Sequence, residues 1–353
     1  MSDHTAMQAL LSSEMGETLR GDADLTACNT FAVPARAAWL AQVEDPAHLP
    51  ELMAAAGEAG LPRLVLGGGS NVLFTGDYPG LVLLMANRGI TVEPGESGHD
   101  RVRVAAGENW DAFVRWSLAQ GYCGLENLIL IPGSVGAAPI QNIGAYGVEV
   151  AAFIDHVRVW DRETGAFREL SAPDCRFAYR DSLFKQERDR YVVVEVSFRL
   201  PKAGLPRLDY RGIREMLAER GIQEPSAADV AAVVEALRRS KLPDPSQTGN
   251  AGSFFKNPVV PLARAEALRR QHPDLPLFEL PEGQCKLSAA WLIERAGLKG
   301  WRQGAAGVSE RHALVLVNHG GASGAEVWAV ARTVMDTVAD RFGVQLEPEP
   351  LVL

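Results

Sequence analysis

The sequence has 353 residues, 47% of them hydrophobic and 22% charged, with a formal net charge of −9. That length is more than one core of about 250–300 residues holds, so two or three domains with a pocket between them are expected. The composition excludes a disordered or fibrous chain, and the acidic balance argues against a nucleic-acid binder while leaving room for a local anion site. Cys28, Cys123, Cys175 and Cys285 are far apart and form no CxxC pair. They read as reduced thiols, and neither a disulfide framework nor a metal site is expected. Residues 1–19 contain acidic groups and lack an apolar core and a basic leader, which is unlike a signal peptide. No apolar run approaches the roughly 20 residues that span a bilayer. A cytoplasmic protein with a loose N-terminal extension and no membrane partner is expected.

In chain order, 61–74 (LPRLVLGGGSNVLF) and 80–85 (GLVLLM) read as buried strands bracketing a glycine turn. Alternation from Arg101 to Ala105 adds a strand, and 110–121 (WDAFVRWSLAQG) a helix ended by Gly121. Segment 131–147 (IPGSVGAAPIQNIGAYG) is too rich in Gly and Pro for a helix and too apolar for a disordered linker. It reads as a buried loop wrapped around a ligand. Strands follow at 156–160 and in the β-branched run 191–200 (YVVVEVSFRL). Segment 227–245 (AADVAAVVEALRRSKLPDP) reads as a helix stopped by Pro243 and Pro245. Helices are expected at 262–270 and 287–296 and a strand at 313–318. Val327, Val330, Val334 and Val338 then mark a long last helix, with Ser323 and Glu326 as its capping box.

Gly67, Gly68, Gly69, Ser70 and Asn71 follow a strand, so their backbone N–H groups could approach a pyrophosphate without Cβ interference. The run matches neither GxGxxG nor a P-loop and, taken alone, is a tight structural turn. A second glycine-rich loop about sixty residues on changes the odds, because two cradles joined to strands suit one extended dinucleotide-like cofactor. The order GGGSN, GENW at 107–110, then PGSVGAAPIQNIGAYG at 132–147 resembles the FAD-binding region of the UDP-N-acetylenolpyruvoylglucosamine reductase (MurB) family.

The resemblance implies an α+β fold with a two-subdomain FAD-binding unit of the vanillyl-alcohol-oxidase type and a separate α+β substrate-binding domain. The parts would be 16–85, 86–242 and 243–342, with a C-terminal strand in 343–353 rejoining the first. Gly67 to Asn71, together with Pro132, Gly133, Ser134, Gly136, Ile140, Gln141, Asn142 and Gly144, would contact FAD. No His or Cys stands at an obvious flavin-attachment position, so noncovalent FAD is expected.

Reducing an enolpyruvyl ether requires a hydride donor, a group that stabilises the enolate at the carboxylate, and a proton donor. FAYRDS at 177–182 resembles the family's tyrosine–arginine motif, which sets Arg180 against that carboxylate, a task suited to a permanent cation with fork geometry. GNAGSFFKNP at 249–258 resembles the proton-donor loop, with Ser253 as the donor; serine is a poor acid and needs a partner. LEPE at 346–349 resembles the family's terminal motif and makes Glu349, rather than Glu347, the third catalytic residue. Many members continue with an apolar and a basic residue, where this sequence has Pro350-Leu351-Val352-Leu353.

The resemblance also assigns substrate contacts to Tyr179, Tyr210, Lys241, Asn257 and His312, and the Tyr210 segment resembles the variety with an extra substrate-covering loop. Generic chemistry alone would make Lys241 a solvated helix-end lysine and His312 a strand-edge residue. NADPH would use the substrate's cleft first, because no second dinucleotide fingerprint is present. The implied reaction is ping-pong reduction of UDP-N-acetylglucosamine enolpyruvate by a monomer. Its rivals are an FAD alcohol oxidase or dehydrogenase of the same fold and a noncatalytic FAD or UDP-sugar binder.

Overall fold

A computed structural model describes residues 7–8, 18–96, 98–210 and 212–353. Most of the expected N-terminal extension lies outside the described residues. The chain forms two compact units, one from Met1–Ala23, Ala37–Gly68 and Pro79–Arg238, the other from Asp24–Arg36, Gly69–Tyr78 and Arg239–Leu353.

The first unit holds two larger sheets and the two-stranded pair Gly144–Ala145 with Val148–Glu149 among the described residues. In the four-stranded sheet the order is Leu19–Asp24, Arg36–Val43, Tyr78–Met85, Arg63–Leu66. The last two run parallel, with Leu64 opposite Val82 and Leu66 opposite Leu84. Helix Leu49–Glu58 enters through Pro50 in its first turn and buries Leu49, Leu52 and Met53 against Trp39, Val43, Leu81 and Leu83. Proline is tolerated there because the first-turn N–H has no intrahelical partner.

The five-stranded sheet runs Ala166–Ser171, Ile154–Asp161, Tyr191–Pro201, His99–Ala105, Ile90–Pro94. Every pairing in it is antiparallel, and Val196 of the central strand faces Val157 on one side and Val104 on the other. Its inner face is valine-rich because β-branched side chains pack well on a pleated surface. Helix Trp110–Ala119 starts where the Asn109 side chain accepts the Ala112 N–H at 2.9 Å. It buries Trp110 and Phe113, whose rings meet Phe198 at 6.1 and 5.0 Å between centroids. Gly121, the expected stop, adopts φ +83 just beyond it and relieves the left-handed turn of steric cost. Helix Ala227–Lys241 adds Val230, Val233 and Val234 to the same core.

In the second unit helix Gly324–Phe342 begins with the expected capping box of Ser323 and Glu326 and buries Val327, Val330, Val334 and Val338. Two three-stranded sheets accompany it, Val259–Pro261 with Gln284–Leu287 and Leu277–Leu280, and Arg302–Gln303 with Ala306–Val308 and Leu316–Asn318. Leu351–Val352 pairs parallel with Val72–Leu73.

Two expected elements are shorter than their hydrophobic runs. The helix expected at 287–296 spans Ala289–Arg295, because Leu287 pairs with Leu277 in a strand and Ser288 caps the helix by accepting the Trp291 N–H. The strand expected at 313–318 spans Leu316–Asn318, since Val315 N–H turns back to the His312 carbonyl. Among the described residues no helix is long and apolar enough to cross a membrane.

Candidate active site

In the first unit the two glycine stretches meet backbone to backbone. A Cβ on Gly67 would stand 2.3 Å from Ser134 Oγ, and one on Gly68 would stand 2.9 Å from Gly133 Cα. At Gly68 the obstacle is backbone, which cannot give way; at Gly67 it is the Ser134 hydroxyl, which would have to turn aside. The loop is laid down by the residues before it: Trp110 N–H donates to the Gly133 carbonyl, Val135 N–H to Glu108 and Gly136 N–H to Ala106. The GENW run therefore acts as a brace, with Trp110 pinned by its own Nε1–H on the Leu128 carbonyl at 2.9 Å. Segment 132–147 contains a single 3-10 turn, Val135–Ala137, and the short strand Gly144–Ala145.

The Ser134 hydroxyl is buried and has no hydrogen-bond partner. An unsatisfied buried hydroxyl costs about 1–3 kcal/mol unless something completes it. A phosphate or flavin oxygen is the kind of acceptor that would. Gly69 is likewise packed against the protein, with φ +61 and the Cys28 carbonyl where a Cβ would stand.

Arg180 sits at the tip of a tight turn in which Ala178 and Asp181 exchange backbone hydrogen bonds of 3.0 and 3.2 Å. Its φ of +54 is uncommon for a side chain of this size. The surroundings hold it there: Lys185 Nζ donates to the Arg180 carbonyl at 2.8 Å, Asn142 Nδ2 to the Ala178 carbonyl at 3.1 Å, and Arg180 Nη2 to the Gly144 carbonyl at 3.1 Å. Ser182 Oγ donates to the Ile140 carbonyl and caps the helix Leu183–Gln186. The guanidinium also lies 5.5 Å from the Tyr179 ring centre, within cation–π range. Arg180, Tyr179, Ile140, Asn142 and Gly144 are thus brought together. Lys185 carried no distinguishing signal in the sequence, where it is one lysine in a polar turn.

The second unit brings Ser253, Glu349 and Asn71 together. Ser253 bridges Val315, Phe254 N–H donates to the Leu314 carbonyl at 2.7 Å, and Glu349 N–H donates to the Phe254 carbonyl at 2.8 Å. Phe255 bridges Pro348, so the serine-bearing segment is clamped between two extended neighbours. Asn71 Nδ2 donates to the Glu349 carbonyl at 3.3 Å, and Leu351 N–H to the Asn71 carbonyl at 3.0 Å. Gly252 supplies the φ of +68 from which the strand departs. Glu347 has its side chain 71% exposed and its carboxylate paired with Lys256 at 2.9 Å; Glu349 is half-buried.

His312 lies on the same strand connection. Leu314 N–H donates to its Nδ1 at 3.2 Å, so the neutral ring carries its proton on Nε2. Burial lowers its pKa, and the nearby charges of Lys241 and Lys299 lower it further. Asn257 Oδ1 accepts the Ala289 N–H at 3.0 Å, a structural bond that leaves its Nδ2 side distinct from it. In the first unit Tyr210 packs edge-on against Tyr146 at 4.8 Å between centroids. Burial raises the Tyr146 pKa, with Arg238 opposing it, and burial lowers that of Arg238. Neither Tyr146 nor Arg238 stands out in the sequence, since an aromatic after GA and an arginine on a helix are commonplace.

A family model for the C-terminal domain of UDP-N-acetylenolpyruvoylglucosamine reductase matches residues 244–353. One for an FAD-binding domain matches 37–171. The UDP-N-acetylenolpyruvoylglucosamine reductase of Xanthomonas campestris pv. campestris (strain 8004) is 55% identical over 94% of this chain and 95% of its own. This chain belongs to the UDP-N-acetylenolpyruvoylglucosamine reductase family. The Pseudomonas aeruginosa reductase is 51% identical over 95% of this chain and 99% of its own. The crystal structure of the reductase (MurB) from Thermus caldophilus matches with a TM-score of 0.64 and 25% identity, over 95% of this chain and 97% of that one. Membership makes the chain an FAD-dependent oxidoreductase, and its fold is the expected α+β combination of a vanillyl-alcohol-oxidase-type FAD-binding domain with the reductase's C-terminal domain. The first unit fits that cofactor through the orphaned, buried Ser134 hydroxyl, which lies against the Gly67–Gly68 turn.

Proposed function

We propose that this chain catalyses NADPH-dependent reduction of UDP-N-acetylglucosamine enolpyruvate to UDP-N-acetylmuramate through noncovalently bound FAD, in peptidoglycan precursor synthesis, with Arg180, Ser253 and Glu349 as its catalytic residues. The observation that carries the assignment of roles is the hydrogen bond from Glu349 N–H to the Phe254 carbonyl, 2.8 Å, which seats the two candidates for proton delivery on adjoining extended segments.

FAD held by the two glycine-rich stretches would, when reduced by NADPH, supply a hydride for the methylene carbon of the enolpyruvyl group. Negative charge then spreads from the neighbouring carbon onto the carboxylate. Arg180 pairs with that carboxylate through its planar fork, an interaction that strengthens as the charge grows. Ser253 Oγ gives its proton to the neighbouring carbon; a hydroxyl is acid enough because the enolate is a strong base, and Glu349 helps to organise the substrate and stabilise the enolate beside Arg180. His312 offers Nε2–H and Lys241 an ammonium to the diphosphate, with Asn257, Tyr179 and Tyr210 completing the substrate contacts. Gly67 to Asn71, Pro132 to Ser134, Gly136, Ile140, Gln141 and Gly144 hold the cofactor mainly through backbone. This reading keeps 16–85 and 86–242 as the FAD-binding pair and 243–342 for substrate, in a cytoplasmic monomer.

The test is anaerobic: the protein is reduced with one equivalent of NADPH and mixed with UDP-N-acetylglucosamine enolpyruvate. Flavin absorbance near that of the oxidised form should return with formation of one equivalent of the lactyl ether. A flavin that stays reduced overturns the proposal.

A further inference from the structure

The side chain of Asn142 is committed to the protein. It is 1% exposed; Nδ2 donates to Glu149 Oε2 at 2.9 Å and to the Ala178 carbonyl at 3.1 Å, and Oδ1 accepts the Ala151 N–H at 3.0 Å. Both amide protons and one oxygen site are used, so little capacity is left for a cofactor. The bond to Ala178 lies two residues from Arg180, on the carbonyl side of the same turn. Ser182 Oγ, bonded to the Ile140 carbonyl, fixes the other side, and Arg180 Nη2 rests on the Gly144 carbonyl. Three separate hydrogen bonds therefore stitch 140–144 of the glycine-rich loop to 178–182.

We infer that Asn142 is a positioning residue for Arg180, not an FAD ligand, and that through it the glycine-rich loop sets where the guanidinium stands. The inference rests on the proposed role of Arg180. A turn with φ +54 at a large residue costs about 1 kcal/mol or more and persists only where its neighbours hold it. Removing the Asn142 contact leaves the Ala178 carbonyl with only the 3.2 Å bond from Asp181 N–H and lets the turn relax, which displaces the guanidinium without touching the cofactor.

Asn142 has φ +45, so Asn142→Gly keeps the backbone conformation and deletes only the side chain. Asn142→Asp, nearly isosteric, keeps the acceptor for Ala151 N–H and loses both donors. Each purified variant is compared with the parent in three measurements: FAD affinity by titration of the deflavinated protein, anaerobic NADPH-driven flavin reduction, and flavin reoxidation by UDP-N-acetylglucosamine enolpyruvate. We expect FAD affinity and flavin reduction within about 3-fold of the parent and reoxidation slower by about 100-fold, the scale of a catalytic group displaced by an ångström. Amides 178–183 should exchange hydrogen at least 10-fold faster. In the cycle Asn142→Gly with Arg180→Ala, the second loss should be nearly absent, because Asn142 acts through Arg180.

Weakened FAD binding with unchanged reoxidation in the FAD-loaded fraction overturns the inference, as do additive losses in the cycle. Unchanged reoxidation in Arg180→Ala alone would instead remove the functional reading beneath it. Should Asn142→Gly fail to fold, Asn142→Asp carries the same three readouts.

Discussion

Two residues assigned to one reaction are held by different means. Ser253 is fixed by backbone ladders on both flanks, through Leu314 and Val315 on one side and 347–349 on the other. Arg180 sits on a left-handed turn held mostly by side chains, those of Asn142, Ser182 and Lys185. Backbone pairing survives most side-chain replacement, whereas a side-chain scaffold is only as durable as each contributor. Positional precision at Ser253 is therefore insensitive to substitution around it, and at Arg180 it is not.

The largest expected effect comes at the ladder-held residue itself. Ser253→Ala should keep yellow FAD and NADPH-driven reduction and lose about 10³-fold in substrate-driven reoxidation, within the span for a general acid; stopped-flow absorbance separates the half-reactions. Equal loss in both would break the assignment. Arg180→Lys keeps the charge and loses the fork, so reoxidation should fall about 100-fold with a smaller change in substrate affinity. The turn's dependence on side chains is sharpened by Lys185→Met, which removes the donor to the Arg180 carbonyl and should slow reoxidation by about 10-fold. The ladder's robustness is tested by Lys256→Met, which removes an ion pair whose acid is largely exposed and should change reoxidation by less than about 2-fold. Glu349→Gln set beside Glu347→Gln asks which acid matters; about 10-fold is expected for the first and none for the second.

The smallest effect concerns pH. His312 has a folded pKa below its ordinary value of 6.5 because burial disfavours the imidazolium. Its neutral form thus contributes stability that is complete above pH 6.5 and is lost as pH falls through the lowered value. Protonation would also take Nδ1 away as acceptor for Leu314 N–H. Tm should drop between pH 7.5 and 5.5, and by less in His312→Gln; an equal drop in both would exclude His312 as the source.

Much of this was legible in the residues. The glycine runs were readable because backbone approaches admit no Cβ, and the last helix because four valines share one face. Other elements left weak traces. Strand Leu19–Asp24 buries only Leu19 and Ala23, and Ala166–Ser171 buries only Leu170, so neither shows alternation. Val72–Leu73 is a strand by virtue of Leu351–Val352, a partner 279 positions along the chain that no local pattern announces. The loop 132–147 was readable as a cradle, but the division of labour within it was not. Whether Asn142 faces a ligand or a neighbouring carbonyl depends on the turn at 178–181, which is set by tertiary packing.

The contact between Gly68 and Gly133 has a consequence for how this sequence can drift. When a bulky substitution collides with a side chain, a second mutation that shrinks the neighbour can restore the fit. Here a Cβ at 68 would meet the Cα of Gly133 at 2.9 Å, and Gly133, itself at φ +120, has no side chain to give up. No compensating change at 133 exists, so suppressor screens starting from Gly68→Ala should return true revertants, and resistance to a compound seated on this turn should arise elsewhere.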